Sequence, residues 1–211
     1  MQNYFIAGTD SGVGKTYVTC ALLRDICAAG VDAMGYKPVA CGARTEARDI
    51  REAIGQSACR LESINPVYLR TQAEPIMAAE LEHASISLQE LVAGYEKLSA
   101  AHQIVLVDGT GGWETPLAPG LSMADVAQAL ALPVILVADN RPGAASLVQL
   151  TLQAIRSRGL RCAGVVLNHI GEEWSTASVT NGRVIQELTG LPILAELIHG
   201  QDYIDAAEIL A

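Results

Sequence analysis

The chain has 211 residues, half of them apolar, and carries 14 basic against 23 acidic side chains for a net charge of −9. That length suits one domain around one core, and the basic residues are too scattered to make the patch that nucleic-acid binding needs, so no nucleic-acid partner is expected. No apolar run reaches the roughly 18 residues of a membrane span, and MQNYFIAG has no basic segment ahead of an apolar one, so neither a membrane partner nor a cleaved leader is expected and cytoplasmic placement follows.

A short β-type run, Tyr4–Gly8, opens the chain and leads into GTDSGVGKT, Gly8 to Thr16. A helical pattern over Lys15–Ala29 follows, with Cys20 and Cys27 spaced as two small core residues of one face. These two, with Cys41, Cys59 and Cys162, form no CxxC pair, which predicts reduced thiols. A second run, Ala33–Lys37, sits in GYKPVACG, and a helix is expected over Ala47–Ile54. Another helix, Leu88–Ala101, precedes the run Ile104–Asp108 and the Gly-rich turn of DGTGGWETP. Then come the strand Val134–Ala138, helix Ala144–Arg158, strand Cys162–Asn168, helix Thr176–Thr189 and strand Ile193–Leu197. The apolar-acidic Tyr203–Ala211 reads as a docking helix. Segments such as IVLVD and VILVA are apolar throughout, as parallel strands buried on both faces must be. Gly30, Gly159 and Gly190 fall just past three helices, where a left-handed cap is expected. Strand–helix alternation predicts an α/β sheet between two helical layers, and no repeat or linker divides the chain.

Three segments carry chemistry. In GTDSGVGKT, strand, glycines and helix stand in the order that a phosphate-binding loop requires, so backbone N–H groups and a helix N-terminus converge on phosphate oxygens. Lys15 can reach the β- and γ-phosphates, and the Thr16 hydroxyl can hold Mg²⁺. Gly8 stands one place too early for the usual motif, and Thr9 occupies the expected position. Asp108 ends a strand at the sheet edge where ligands bind, so it either faces the same phosphates through Mg²⁺ or caps the following turn. Lys37 ends the second strand, where it can steady a transferring phosphoryl group or an anionic substrate, or else remain a solvated surface lysine. Asp49 is either a second metal carboxylate or a charge that stabilises a helix N-terminus.

Taken together, GTDSGVGKT, GYKPVACG and DGTGGWETP resemble the dethiobiotin synthetase family, ATP-dependent carboxylases that close a ureido ring in biotin synthesis. The likeness runs nearly end to end, through NPVYL at 65–69, LPVILVADN at 132–140 and GVVLN at 164–168. The resemblance implies a three-layer P-loop NTPase fold whose mostly parallel sheet has about seven strands. It implies ATP and Mg²⁺ as cofactors, and a homodimer with a diamine and CO₂ bound at its interface. It further implies that Lys37 and Lys15 are catalytic. Gly12, Val13, Gly14, Lys15, Thr16 and Tyr17 would cradle ATP, together with Asp49, Asp108, Gly109, Thr110, Gly111, Asn168 and His169. Thr16, Asp49 and Asp108 would hold the metal, and Cys41, Lys37 and Gly143 would meet the acceptor. The chain also departs from the family: Asp108 replaces its Glu, Cys41 a substrate-contacting Ser, and PGAASL at 142–147 a Gly-x-Ile-Asn-His segment. AEPIM at 73–77 lacks its Ser-Pro-His pattern. The altered acceptor end leaves a nucleotide-binding regulator or switch as the alternative function. A partitioning-type ATPase would carry an extra lysine where this chain has Thr9, Asp10 and Ser11, and a cobyrinate-amidating enzyme would need a glutaminase half beyond the P-loop domain.

Overall fold

The computed structural model describes residues 2–55, 59–201 and 203–209. In chain order it begins β1 (Tyr4–Gly8), α1 (Lys15–Ala28), β2 (Ala33–Tyr36), β3 (Val39–Cys41), α2 (Thr45–Ala53), α3 (Leu61–Ile64) and β4 (Val67–Leu69). There follow α4 (Pro75–Leu81), α5 (Leu88–Ser99), β5 (Ile104–Asp108), β6 (Pro116–Ala118), β7 (Leu121–Ser122) and α6 (Met123–Leu130). The last elements are β8 (Val134–Asp139), α7 (Ala144–Ser157), β9 (Cys162–Asn168), α8 (Thr176–Thr189), β10 (Ile193–Leu197) and α9 (Ala206–Ile209).

Six of these strands form the central sheet in the order β10-β9-β8-β1-β5-β2, and every pairing in it is parallel. They are the six strands expected from the apolar runs, and the sheet has one strand fewer than the family resemblance implies. All residues of β1 and β5 are buried, which is why both are apolar along their whole length up to Asp108. The sheet, flanked by helices, makes a three-layer α/β fold, and its buried residues join those of the helices in one apolar cluster.

Around β1 the chain changes direction. β2 and β5 lie to one side of it and β8, β9 and β10 to the other, so the crevice at the carboxyl ends of β1, β5 and β8 is the switch point where such sheets bind ligands. The small parallel pair β3–β4, not expected from the runs, carries the chain from Lys37 to the rim of that crevice. α6 was also missed, although Ser122 and Asp125 form a reciprocal capping box that announces a helix start. The tail docks as expected: α9 lies on α1, where the Asp25 carboxylate accepts from the Ala206 N–H at 2.9 Å, while residues 210–211 of that expectation lie outside the described residues. No helix among the described residues is long and apolar enough to cross a membrane.

Candidate active site

The loop between β1 and α1 wraps closely around the Lys15 stem. Gly8 is there because a Cβ would sit 2.8 Å from the Asp10 carbonyl oxygen and 2.9 Å from Lys15 Nζ. That gives the early glycine of the motif its physical reason. Gly14 has φ 91°, and a Cβ on it would lie 2.1 Å from Asn168 Nδ2. Lys15 is buried and donates to the Asp10 carbonyl at 3.0 Å. Burial, helped by the nearby Lys37 charge, lowers its ammonium to about 8. A phosphate beside it would restore the charge, which is what a nucleotide loop needs from this residue.

Beneath the loop lies a buried ionic cluster. Lys37 is completely buried, and its Nζ lies 3.1 Å from Asp108 Oδ2, 3.2 Å from Glu46 Oε2 and 3.0 Å from the Gly109 carbonyl. Burial pulls the ammonium down, but the two carboxylates overcome that and hold it above the usual lysine range. Thr16 donates its hydroxyl to Asp108 Oδ2 at 2.6 Å and stands 3.3 Å from Glu46 Oε1. Burial pushes the Asp108 carboxyl up against the pull of Lys37, and its Oδ1 is buried without a hydrogen-bond partner in the structure. Such an orphaned acceptor costs free energy unless something supplies a positive partner. Two carboxylates and a hydroxyl are the protein share that Mg²⁺ takes when phosphates and water fill its other positions. The residues therefore fit a divalent cation.

Above this cluster opens a cavity of about 600 Å³, lined among others by Lys15, Cys41, Arg44, Glu46, Glu74 and Thr110. Cys41 is half-buried, and its thiol is raised to about 11 by burial and then by Glu46, Glu74 and Glu82. A thiol raised this way holds its proton near neutral pH. At the same N-terminal end of α1, Asn168 donates from Nδ2 to the Val13 carbonyl at 3.0 Å, and the Tyr17 hydroxyl donates to the Gln201 carbonyl. His169 is buried, with Nδ1 on the Asn140 carbonyl at 3.2 Å and its ring stacked on Trp174.

Comparison with known proteins decides the family. An AAA-domain family model matches residues 2–204. An ATP-dependent dethiobiotin synthetase from Akkermansia muciniphila is 47% identical over 210 residues, covering 100% of this chain and 98% of the relative. One from Anaeromyxobacter dehalogenans strain 2CP-C is 40% identical, covering 93% of this chain and 90% of the relative. The chain belongs to the dethiobiotin synthetase family. Among solved structures, the MinD cell division protein of Aquifex aeolicus covers 99% of this chain and 87% of its own at TM-score 0.62. Chloroplast FtsY of Physcomitrella patens covers 99% and 64% at TM-score 0.59. At 14% identity each, they share the P-loop fold with this synthetase-family chain and nothing finer.

Of the residues that the family likeness pointed to, the structure brings Lys15, Thr16, Lys37, Asp108 and Gly109 together, with Thr110 and Gly111 on the cavity wall. Asp49 is exposed on α2, and among the described residues the carboxylate that joins Asp108 beside Lys37 and Thr16 is that of Glu46, three residues earlier. The helix was expected to begin at Ala47, which left Glu46 in a loop, whereas α2 begins at Thr45 and aims its first turn at the site. Gly143, exposed at the N-terminus of α7, does not line this cavity. Glu46, Arg44 and Glu74 are marked by no motif, and only the fold of the segments after β3 and β4 brings them to the cavity.

Proposed function

We propose that this chain is an ATP- and Mg²⁺-dependent ligase that joins CO₂ to 7,8-diaminononanoate and closes the ring of dethiobiotin. The carrying observation is the completely buried Lys37, its ammonium held by Asp108 and Glu46 in a family whose named members are ATP-dependent dethiobiotin synthetases. One amine of the diamine attacks CO₂, forming a C–N bond and losing a proton to give a carbamate. A carbamate oxygen takes the γ-phosphoryl group of ATP and ADP leaves. The second amine then attacks the carbamoyl carbon and gives up a proton, phosphate departs with the C–O electron pair, and the five-membered urea closes.

The protein does little covalent work in this scheme and much positioning. Lys15 and the N–H groups of Gly12–Thr16 hold the phosphates, while Lys37 stabilises charge on the carbamate oxygen and the transferring phosphoryl group. Thr16, Asp108 and Glu46 would hold Mg²⁺, which would neutralise phosphate charge. Asn168, His169 and Tyr17 would stand at the nucleoside end, and Cys41 at the acceptor end.

We infer further that the 211 residues act as one ATP-binding domain, which the single buried cluster supports. The exposed Leu150, Val179 and Leu188 along α7 and α8 support pairing into a homodimer, with Gly143 beside a partner's acceptor site. The five free thiols support a reducing, cytoplasmic location. The test is steady-state phosphate release with and without 7,8-diaminononanoate and bicarbonate. Release that requires both is expected. Release indifferent to the diamine would replace this reading with a nucleotide switch or regulator.

A further inference from the structure

Arg44 stands where helix rules favour other residues. It immediately precedes α2 with φ 49° and ψ 23° and makes no side-chain capping bond. Ser, Asn, Asp or Gly is the usual occupant of that position, and a left-handed conformation is uncommon for a long side chain. Backbone held this way persists only when the surroundings over-determine it.

The guanidinium provides the determinants. Nε donates to Asn65 Oδ1 at 3.1 Å, Nη2 to the Asn65 carbonyl at 2.8 Å, and Nη1 to Glu62 at 3.0 Å. It also lies over the Tyr68 ring, 4.9 Å from the centroid, and the Tyr68 hydroxyl donates to the Gly42 carbonyl at 2.8 Å, tying down the same loop. Asn65 is itself completely buried and donates from Nδ2 to the carbonyls of Lys37, at 3.0 Å, and Val67, at 2.9 Å. The Lys37 N–H in turn donates to the Ile64 carbonyl at 2.7 Å. One planar fork thus bridges two pieces of chain. On one side is the segment that fixes the backbone of Lys37, and on the other the first turn of α2, which carries Glu46 to within 3.2 Å of Lys37 Nζ.

We propose that Arg44 is a positioning residue for the synthetase reaction, holding Glu46 against Lys37 and Thr16 by clamping the start of α2 to Asn65. The inference rests on the function proposed above. Without the fork, the left-handed turn at Arg44 has nothing to hold it, and the Glu46 side chain, already 45% exposed, relaxes toward water. Lysine cannot substitute, because a single ammonium does not reproduce two directed N–H bonds to one asparagine.

The experiment compares wild type with Arg44→Ala and Arg44→Lys in the full chain, the second keeping charge and bulk so that one folded variant is in hand. Diamine-dependent phosphate release should fall on the order of 10- to 100-fold in both. The Mg²⁺ concentration for half-maximal rate should rise, and the gain in ATP affinity that Mg²⁺ confers, measured by calorimetry, should shrink. Millimolar guanidinium should restore part of the rate to Arg44→Ala and none to Arg44→Lys, whose side chain fills the site. Either variant working within two-fold of wild type with unchanged Mg²⁺ dependence would overturn the proposal. So would a loss that follows the thermal midpoint alone and resists guanidinium. A wild-type enzyme without diamine-dependent release would instead sink the synthetase reading, leaving the calorimetric comparison to decide the role of Arg44.

Discussion

Replacing Lys37 by glutamine removes a charge from the most enclosed part of the site, and the structure sets the size of the effect. The ammonium makes three contacts: Asp108 at 3.1 Å, Glu46 at 3.2 Å and the Gly109 carbonyl at 3.0 Å. A glutamine amide can keep the carbonyl contact, and Glu46 is exposed enough for water to take over its share. Asp108 has no such escape, because it is completely buried. Breaking a buried pair by removing one partner costs about 3–5 kcal/mol, and the lower end applies here because Asp108 can take up a proton. A loss of about 3 kcal/mol corresponds to a fall of roughly 6–12 °C in Tm for a chain of this size. The transition state should suffer separately: losing one preorganised donor is worth about 10²- to 10³-fold in kcat. ATP affinity should change little, because the contact strengthens mainly during phosphoryl transfer. Calorimetric unfolding, ATP titration and diamine-dependent phosphate release measure the three quantities. The double variant Lys37→Gln/Asp108→Asn should recover stability without recovering activity. Lys37→Gln turning over within three-fold of wild type, or losing rate only in proportion to ATP affinity, would refute the reasoning.

Two further predictions concern the phosphates and the metal. Because Lys15 sits near 8 in the free protein and a bound phosphate restores its charge, ATP binding should take up a proton around pH 8 and weaken as pH rises above it. Titration calorimetry in buffers of different ionisation enthalpy reads that proton, and Lys15→Ala should abolish the uptake and lower kcat on the order of 10³-fold. The same depression works the other way on folding. The unfolded chain binds the Lys15 proton more tightly between pH 8 and the ordinary lysine range, so this residue makes the free protein more stable as pH rises through that window. Glu46→Gln should raise the Mg²⁺ requirement several-fold by removing one of the two carboxylates at the site, whereas Asp49→Asn should leave it unchanged. The reverse pattern in a Mg²⁺ titration of the rate would give the metal role to Asp49 and not to Glu46.

Local chemistry made much of this molecule readable in advance. The central strands β5 and β8 are apolar up to their final Asp because both faces are covered, and a phosphate loop announces itself because only glycine fits beside Lys15 Nζ and Asn168. Asp108 ends β5 and Lys37 directly follows β2, so both stand out at the edge where such sheets bind ligands. What chain order could not settle is which side chains meet across those edges. From the residues alone, Lys37 could equally have been solvated, and only the parallel pairing of β2 with β5 closes its ammonium against Asp108. Asp49 and Glu46 lie on successive turns of one acidic helix, and the local pattern favours neither. The start of α2 is decided by Arg44 reaching to Asn65, a contact between residues far apart in the chain. How the first turn of α2 faces Lys37 is therefore a property of packing that no single segment encodes.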